Sequence, residues 1–203
     1  MKRLYEELSV MKTLARNEWS SYYSIIEYLR QHHYKAFRTG SYSEVFTKHT
    51  EKFVVKVTHR PDPAWLHFVD IARQHQGNRH LPKVSRVIDF KDTLNDNSNN
   101  SFIAFVEKLE PLSVDNDDIN YLASYMVSIL QGNTCSYYWR YWITGNSKQE
   151  QMAKEFADSH PDFVKTIQMI IQNKGEFRLD LHDGNIMLRP GTNTFVIIDP
   201  YAV

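Results

Sequence analysis

The stretch that most constrains the fold of this chain is RLDLHDGNIMLRPGTNTFVIIDP, residues 178–200. Two short apolar runs, 186–188 and 195–198, lie on either side of a Pro-Gly pair. Because proline and glycine are typical of turns, the pattern predicts two strands joined as a β-hairpin. If the two runs pair, Asn185 and Asp199 fall at the same end of that hairpin.

The polar residues around this hairpin have the chemistry of a phosphoryl-transfer site. Asn185 and Asp199 offer oxygen ligands, which Mg²⁺ prefers, and Mg²⁺ commonly keeps substrate phosphates among its other ligands. Asp180 then remains to accept a proton from an attacking hydroxyl. The simpler alternative is a polar loop in which aspartate and asparagine serve only as turn formers.

The overall composition narrows the class of function. The chain has 203 residues, 42% of them apolar, which is enough for a sizeable core in one domain or a two-lobed one. Its 24 basic residues balance 24 acidic ones, so charge gives no case for a nucleic-acid or membrane partner. No apolar run approaches the length of a membrane span. Cys135 is the single cysteine, which favours a cytoplasmic location.

Hydrophobic periodicity predicts helical and β-rich parts. Apolar residues at helical spacing predict two helices within residues 2–32. Alternating patterns and short apolar runs then predict strands through Val45-Phe46, Phe53–Thr58, 83–90 and 101–109, with one helix over Trp65–His75. Further helices are predicted over 115–130, 148–158 and 161–173, before the hairpin. The prediction is an α+β fold with two lobes.

A lysine stands in one of the apolar strands. Lys56 lies between valines in FVVKV, where it is either an edge-strand charge facing water or a ligand for phosphate. The preceding TGSYSEVF has a glycine turn with small hydroxyl residues, whose backbone N–H groups could cover a triphosphate. Each feature alone is uninformative. Their order along the chain, glycine turn, strand lysine, D-x-x-x-x-N and I-D, favours phosphoryl transfer.

Over residues 36–203 this order resembles the protein-kinase-like superfamily. VVKV is similar to the strand with the nucleotide-binding lysine, FVEKLEPL to the hinge, RLDLHDGN to the catalytic loop and IIDP to the metal-binding segment. The resemblance implies ATP and Mg²⁺ as cofactors and Asp180, Lys56 and Asn185 as catalytic residues. It implies Asn185 and Asp199 as metal ligands. The implied contacts to ATP are Gly40, Ser41, Ser43, Val45, Lys56, Glu107, Leu109, Met187 and Ile198.

More narrowly, GSYSEVF, HQGNRHLPKV and LHDGNIM with IIDP are similar to the early host-takeover serine/threonine kinases of short-tailed coliphages. The implied fold has a small β-rich N-lobe and a reduced helical C-lobe truncated after the metal-binding aspartate. The implied division is a helical extension (1–35), a nucleotide-binding lobe (36–109) and a catalytic lobe (110–203). The implied substrates are host proteins in the host cytoplasm, first among them the transcription or RNA-processing machinery. Phosphorylation of the kinase by itself belongs to the same expectation.

The sequence also departs from the family pattern. The family pairs its strand lysine with a helix glutamate, but 63–76 contains none and Asp70 is the nearest acidic residue. His182 stands where many protein kinases have a lysine. Two alternatives therefore stay open. One is a small-molecule kinase of the same superfamily, and the other is a catalytically inactive kinase-like protein that blocks a host partner by binding.

Overall fold

The computed structural model describes residues 9–11, 13, 21–40, 42–48, 52–85, 87–90, 101–112, 151, 155–181, 183–192 and 194–203. Within them the fold is mixed α+β with a multi-stranded antiparallel sheet, which confirms the predicted class. The chain divides into two compact units. We call Met1–Asp62 with Lys83–Lys108 the sheet unit, and Pro63–Pro82 with Leu109–Val203 the hairpin unit. The domain boundaries predicted from the sequence stay a prediction.

The sheet unit contains five strands in the described part of the chain. Each runs antiparallel to its neighbours, in the order β1-β2-β3-β5-β4. Strand β3 coincides with the strand predicted for FVVKVT and lies in the middle of the sheet. The strands are β1 (Lys35–Thr39), β2 (Ser43–Thr47), β3 (Phe53–Thr58), β4 (Ile88–Phe90) and β5 (Ser101–Glu107).

One helix contributes to the core of the sheet unit. Helix α1 (Tyr22–Gln31) buries Ile25, Ile26 and Leu29, whose spacing puts them on one helical face. These side chains belong to the same buried cluster as the alternate residues Val55 and Val57 of β3. Because side chains alternate across a strand, the neighbours of those valines project from the opposite face of the sheet.

The start of α1 is fixed by a cap that the sequence carries. Ser21 accepts a hydrogen bond from the backbone N–H of Ser24 at 3.3 Å, and the Ser24 side chain contacts the backbone N–H of Ser21 in return. This reciprocal capping box satisfies backbone donors that a helix leaves open at its first turn.

The hairpin unit combines helices with short strands in its described residues, which include a helical stretch over 155–159. Strands β8 and β9 form the predicted hairpin, β6 pairs with the other edge of β8, and β7 pairs with β10. The elements are α2 (Pro63–Gln74), β6 (Glu110–Pro111), α3 (Pro161–Gln172), β7 (Arg178–Leu179), β8 (Ile186–Leu188), β9 (Phe195–Ile197) and β10 (Tyr201–Ala202).

Helix α3 is amphipathic, as its sequence predicts. Phe163, Ile167 and Ile170 are fully buried, and their spacing forms a single apolar stripe. The helix ends at Gln172, and Gly175 follows with a φ of 58°, a left-handed conformation that glycine adopts without steric cost. Here the chain turns back toward β7, the strand before Asp180.

Other predicted elements differ in extent. The helix predicted over Trp65–His75 is found at Pro63–Gln74, and the stretch 83–90 forms a strand only over Ile88–Phe90, with an isolated bridge from Val84 to Val106. The helix predicted over 115–130 lies outside the described residues. Among the described residues, no helix has the length and apolar character needed to cross a membrane.

Candidate functional site

Two pairs of short strands fix the polar residues of the hairpin unit. Strand β8 pairs with β9, and β7 pairs with β10. The segment 180–185 connects β7 to β8, and the segment 198–200 connects β9 to β10. Because each segment joins the same two strand pairs, the two segments lie side by side.

Main-chain hydrogen bonds hold these two segments together. The N–H of Asp180 donates to the carbonyl of Pro200 at 2.7 Å, and the N–H of Ile198 donates to the carbonyl of Asn185 at 3.0 Å. Asp199 lies between Ile198 and Pro200, so it is tethered on both sides. The expectation that Asn185 and Asp199 share one end of the hairpin is confirmed.

The side chain of Asn185 is oriented by Asp180. Its Nδ2 donates to the backbone carbonyl of Asp180 at 2.7 Å and to the carboxylate Oδ2 of Asp180 at 3.3 Å. The nitrogen therefore turns toward Asp180, and Oδ1 is the atom of Asn185 that could bind a cation. Asp180 is exposed, so an incoming hydroxyl can reach its carboxylate, while Asp199 is half-buried.

This set of donors fits Mg²⁺. Asn185 and Asp199 offer one amide and one carboxylate oxygen, and Mg²⁺ commonly takes one or two carboxylates together with water and substrate phosphates. Among the described residues, no group of three His, Cys, Asp or Glu side chains forms an all-protein metal site. Two protein oxygens leave the remaining positions of a Mg²⁺ ion to water and substrate phosphates. His182 lies outside the described residues.

In the sheet unit, Lys56 lies in an interior strand. Val45 of β2 and Ala104 of β5 are directly opposite it, and Ser43 is opposite Thr58 two residues along. Directly opposite residues project from the same face, so Ser43, Val45 and Lys56 lie together. Lys56 is only 9% exposed, and β3 has neighbours on both sides. The interpretation of Lys56 as an edge-strand charge facing water is wrong.

Lys56 forms an ion pair with an acidic residue that the sequence analysis missed. Its Nζ lies 3.6 Å from Oδ2 of Asp62, and the two side chains are 11% and 12% exposed. Asp70, the acidic residue nearest in the sequence pattern, is exposed on α2. One feature of the sequence could have pointed to this ion pair. Asp62 stands between two prolines shortly after the strand that contains Lys56, where the pattern predicted only the start of a helix.

The glycine turn between β1 and β2 is closed by one hydrogen bond of its own and held by a second from the segment after β3. The N–H of Gly40 donates to the carbonyl of Ser43 at 2.8 Å, and the carbonyl of Tyr42 accepts from the N–H of His59 at 3.1 Å. The second bond ties the turn to the segment that leads from β3 to Asp62. Ser41 lies outside the described residues, and the phosphate contacts predicted for this turn stay predictions.

The segment predicted as the hinge, FVEKLEPL, belongs partly to each unit, because the boundary falls between Lys108 and Leu109. The N–H of Glu107 donates to the carbonyl of Lys83 at 2.9 Å, and its carboxylate accepts from the N–H of Lys83 at 3.1 Å. An adenine contact through the N–H of Glu107 would have to displace Lys83. The role predicted for the main chain near Glu107 is therefore restricted to groups other than this N–H.

Three of the predicted ATP contacts come together in the hairpin unit. Leu109, Met187 and Val196 form a buried cluster, and Ile198 packs against it. Strand β6 explains this cluster, because its Pro111 lies opposite Met187.

A buried histidine supports the hairpin from outside the predicted site. Nδ1 of His80 donates to the carbonyl of Phe195 at 2.8 Å, and Nε2 accepts from Nε of Arg79 at 3.3 Å. The carbonyl of His80 accepts from the N–H of Ile197 at 3.0 Å. Burial lowers the pKa of His80 and outweighs the Phe195 carbonyl, which raises it. The neutral ring therefore holds β9 in place, a role that a lone histidine in the sequence does not reveal.

Comparison with known proteins identifies a matching protein family. Residues 6–202, nearly the whole chain, match the family described as Bacteriophage T7 protein kinase 0.7. The match confirms the resemblance to phage kinases inferred from the sequence motifs. No curated protein matches the chain.

Proposed function

The chain belongs to the bacteriophage T7 protein kinase family, and on that premise we propose that it transfers the γ-phosphate of ATP to serine or threonine hydroxyls. The observation that carries the proposal is the juxtaposition of segments 180–185 and 198–200, which brings Asp180 and Asn185 next to the segment that contains Asp199. A base beside two metal-binding oxygens is the arrangement that phosphoryl transfer requires.

We assign the sheet unit to the nucleotide-binding lobe of a protein-kinase-like fold and the hairpin unit to its catalytic lobe. Lys56 lies beside Val45 on one face of the sheet, where its ammonium group would offset the charge of the ATP phosphates. The cluster of Leu109, Met187 and Ile198 would contact the adenine ring. The match to a protein kinase family over nearly the whole chain supports both assignments.

Asp180 is the general base of the proposed reaction. The substrate hydroxyl oxygen forms a bond to the γ-phosphorus, and the hydroxyl proton passes to the Asp180 carboxylate. The bond from the γ-phosphorus to the bridging oxygen breaks, and ADP leaves with that oxygen. When bound to Asn185 and Asp199, Mg²⁺ would supply positive charge to the phosphate oxygens. Because positioning and charge do most of this work, the protein needs no covalent intermediate.

The substrates we propose are host proteins, first those of the transcription or RNA-processing machinery, and the kinase itself. This follows from the similarity to host-takeover kinases rather than from a contact in the structure. The balance of 24 basic and 24 acidic residues gives no electrostatic case for a nucleic-acid substrate.

The test is transfer of labelled γ-phosphate from ATP with Mg²⁺, with the protein alone and with bacterial lysate. Asp180→Ala should lower transfer by about 10²–10⁴-fold, because the base is lost. Asp158→Asn, at another exposed aspartate of the hairpin unit, is the matched control and should transfer like the unsubstituted protein.

Each outcome distinguishes a different hypothesis. Label that persists in Asp180→Ala would overturn the assignment of the base. ATP binding without label in the unsubstituted protein would favour the inactive binding protein. Consumption of ATP with label on a small molecule rather than on protein would favour the small-molecule kinase.

A further inference from the structure

The buried ion pair of Lys56 has a consequence for nucleotide binding. The ammonium of Lys56 sits on a long, flexible stem, and its opposite neighbours on the sheet, Val45 and Ala104, carry no charge. The pair lies almost entirely out of water. A desolvated ammonium needs a carboxylate nearby, and Asp62 supplies one at 3.6 Å from Nζ of Lys56.

The backbone around Asp62 is unusually restricted. Pro61 precedes it and Pro63 follows it. Proline fixes its own φ near −65°, and the residue before a proline is confined to extended conformations. The short side chain of Asp62 is therefore presented from a stiff segment. That segment is also tied to the glycine turn, because the N–H of His59 donates to the carbonyl of Tyr42.

We propose that Asp62 is a positioning residue that holds the Lys56 ammonium in the orientation needed to bind the phosphates of ATP. This inference rests on the proposed function, since it assigns Asp62 a role in nucleotide binding. The aspartate comes from the Pro-Asp-Pro segment that leaves the sheet unit and not from the body of helix α2. It accounts for the lack of a glutamate in residues 63–76, because the carboxylate enters from before the helix.

The experiment compares the affinities for ATP with Mg²⁺ and for adenosine by isothermal titration of the full chain. Asp62→Asn should weaken ATP binding by about tenfold, the effect of losing one well-placed charge contact, and leave adenosine binding unchanged. A purely structural role would weaken both ligands alike or neither. Asp89→Asn, at an exposed aspartate of strand β4, is the matched control and should change neither affinity.

A second variant covers the case in which Asp62→Asn does not fold. Asp62→Glu keeps the charge but moves the carboxylate outward by one methylene, so it should lower the preference for ATP over adenosine by about threefold. An unchanged preference in a folded variant would overturn the role of Asp62. Failure of the unsubstituted protein to bind either ligand would instead reject the proposed function, so the two failures are distinguishable.

Discussion

Lys56 and the group of Asp180, Asn185 and Asp199 are held in different ways. Lys56 is buried in the middle of a five-stranded sheet, with a paired strand on each side. The other three lie on loops that connect very short strands, each only two or three residues long. Of these three residues, Asp180 is exposed. The first position depends on the core of its unit, and the second depends on a few main-chain hydrogen bonds.

The difference reflects what each group does in the proposed reaction. A lysine that only lends charge can belong to a core, provided that a carboxylate offsets its desolvation. A base that must meet an incoming hydroxyl has to stay accessible. We therefore expect changes at Lys56 to affect folding and function together, and changes at Asp180 to affect function alone.

The largest expected difference in stability is between Lys56→Met and Asp180→Asn. Lys56→Met leaves the Asp62 carboxylate buried without its ammonium, so the free energy of unfolding should fall by about 3–5 kcal/mol. Asp180→Asn replaces an exposed carboxylate by an amide that can still accept a bond from Asn185, so the change should stay within about 1 kcal/mol. Urea denaturation followed by circular dichroism measures both.

A double variant sharpens this comparison. Adding Asp62→Asn to Lys56→Met removes the second buried charge, so part of the lost stability should return. Equal losses for Lys56→Met and Asp180→Asn would show that the two positions are not held differently.

A smaller effect is expected at the segment that follows Asp199. The buried hydroxyl of Tyr201 donates to the carbonyl of Ile170 at 2.7 Å, and burial raises the pKa of Tyr201, which keeps it a donor. Tyr201→Phe should cost about 1–3 kcal/mol and should also lower phosphate transfer, because Asp199 loses an anchor. Tyr23→Phe, at an exposed tyrosine, is the control. Full transfer by folded Tyr201→Phe would mean that the short ladders alone hold Asp199.

The next test concerns pH. Burial lowers the pKa of His80 from its ordinary 6.5, so the unfolded chain binds a proton at higher pH than the folded one. The stability contributed by the neutral ring is complete above about pH 6.5 and is lost as the pH falls toward the lowered pKa. As the pH is lowered, the midpoint of urea denaturation should fall more steeply for the unsubstituted protein than for His80→Gln. His75→Gln, at an exposed position, is the control and should follow the unsubstituted protein. If the midpoint of His80→Gln changes with pH in parallel with that of the unsubstituted protein, the prediction is wrong.

The sequence predicts most of what is local in this fold. The strand Phe53–Thr58 and the hairpin of β8 and β9 follow from short apolar runs and turn residues, and the hairpin brings Asn185 to Asp199. Contacts between distant segments carry no such pattern. The contact of Glu107 with Lys83 and the clamp of His80 on Phe195 depend on how distant segments pack. Asp62 is close to Lys56 in sequence, but its aim depends on the turn after β3, which periodicity does not describe.

The smallest expected effect separates two glycines. Gly175 has a φ of 58°, so Gly175→Ala should cost about 1 kcal/mol through backbone strain alone, since no atom lies closer than 3.8 Å to the added Cβ. Gly40 lies outside the left-handed region, and an added Cβ would meet the Ser43 carbonyl at an ordinary 3.7 Å. Gly40→Ala should therefore change the unfolding free energy by less than about 0.5 kcal/mol. If the ATP affinity of Gly40→Ala falls while its stability is unchanged, Gly40 is required for nucleotide binding rather than for the turn. A loss of stability would instead mean that the sheet unit needs Gly40 in order to fold.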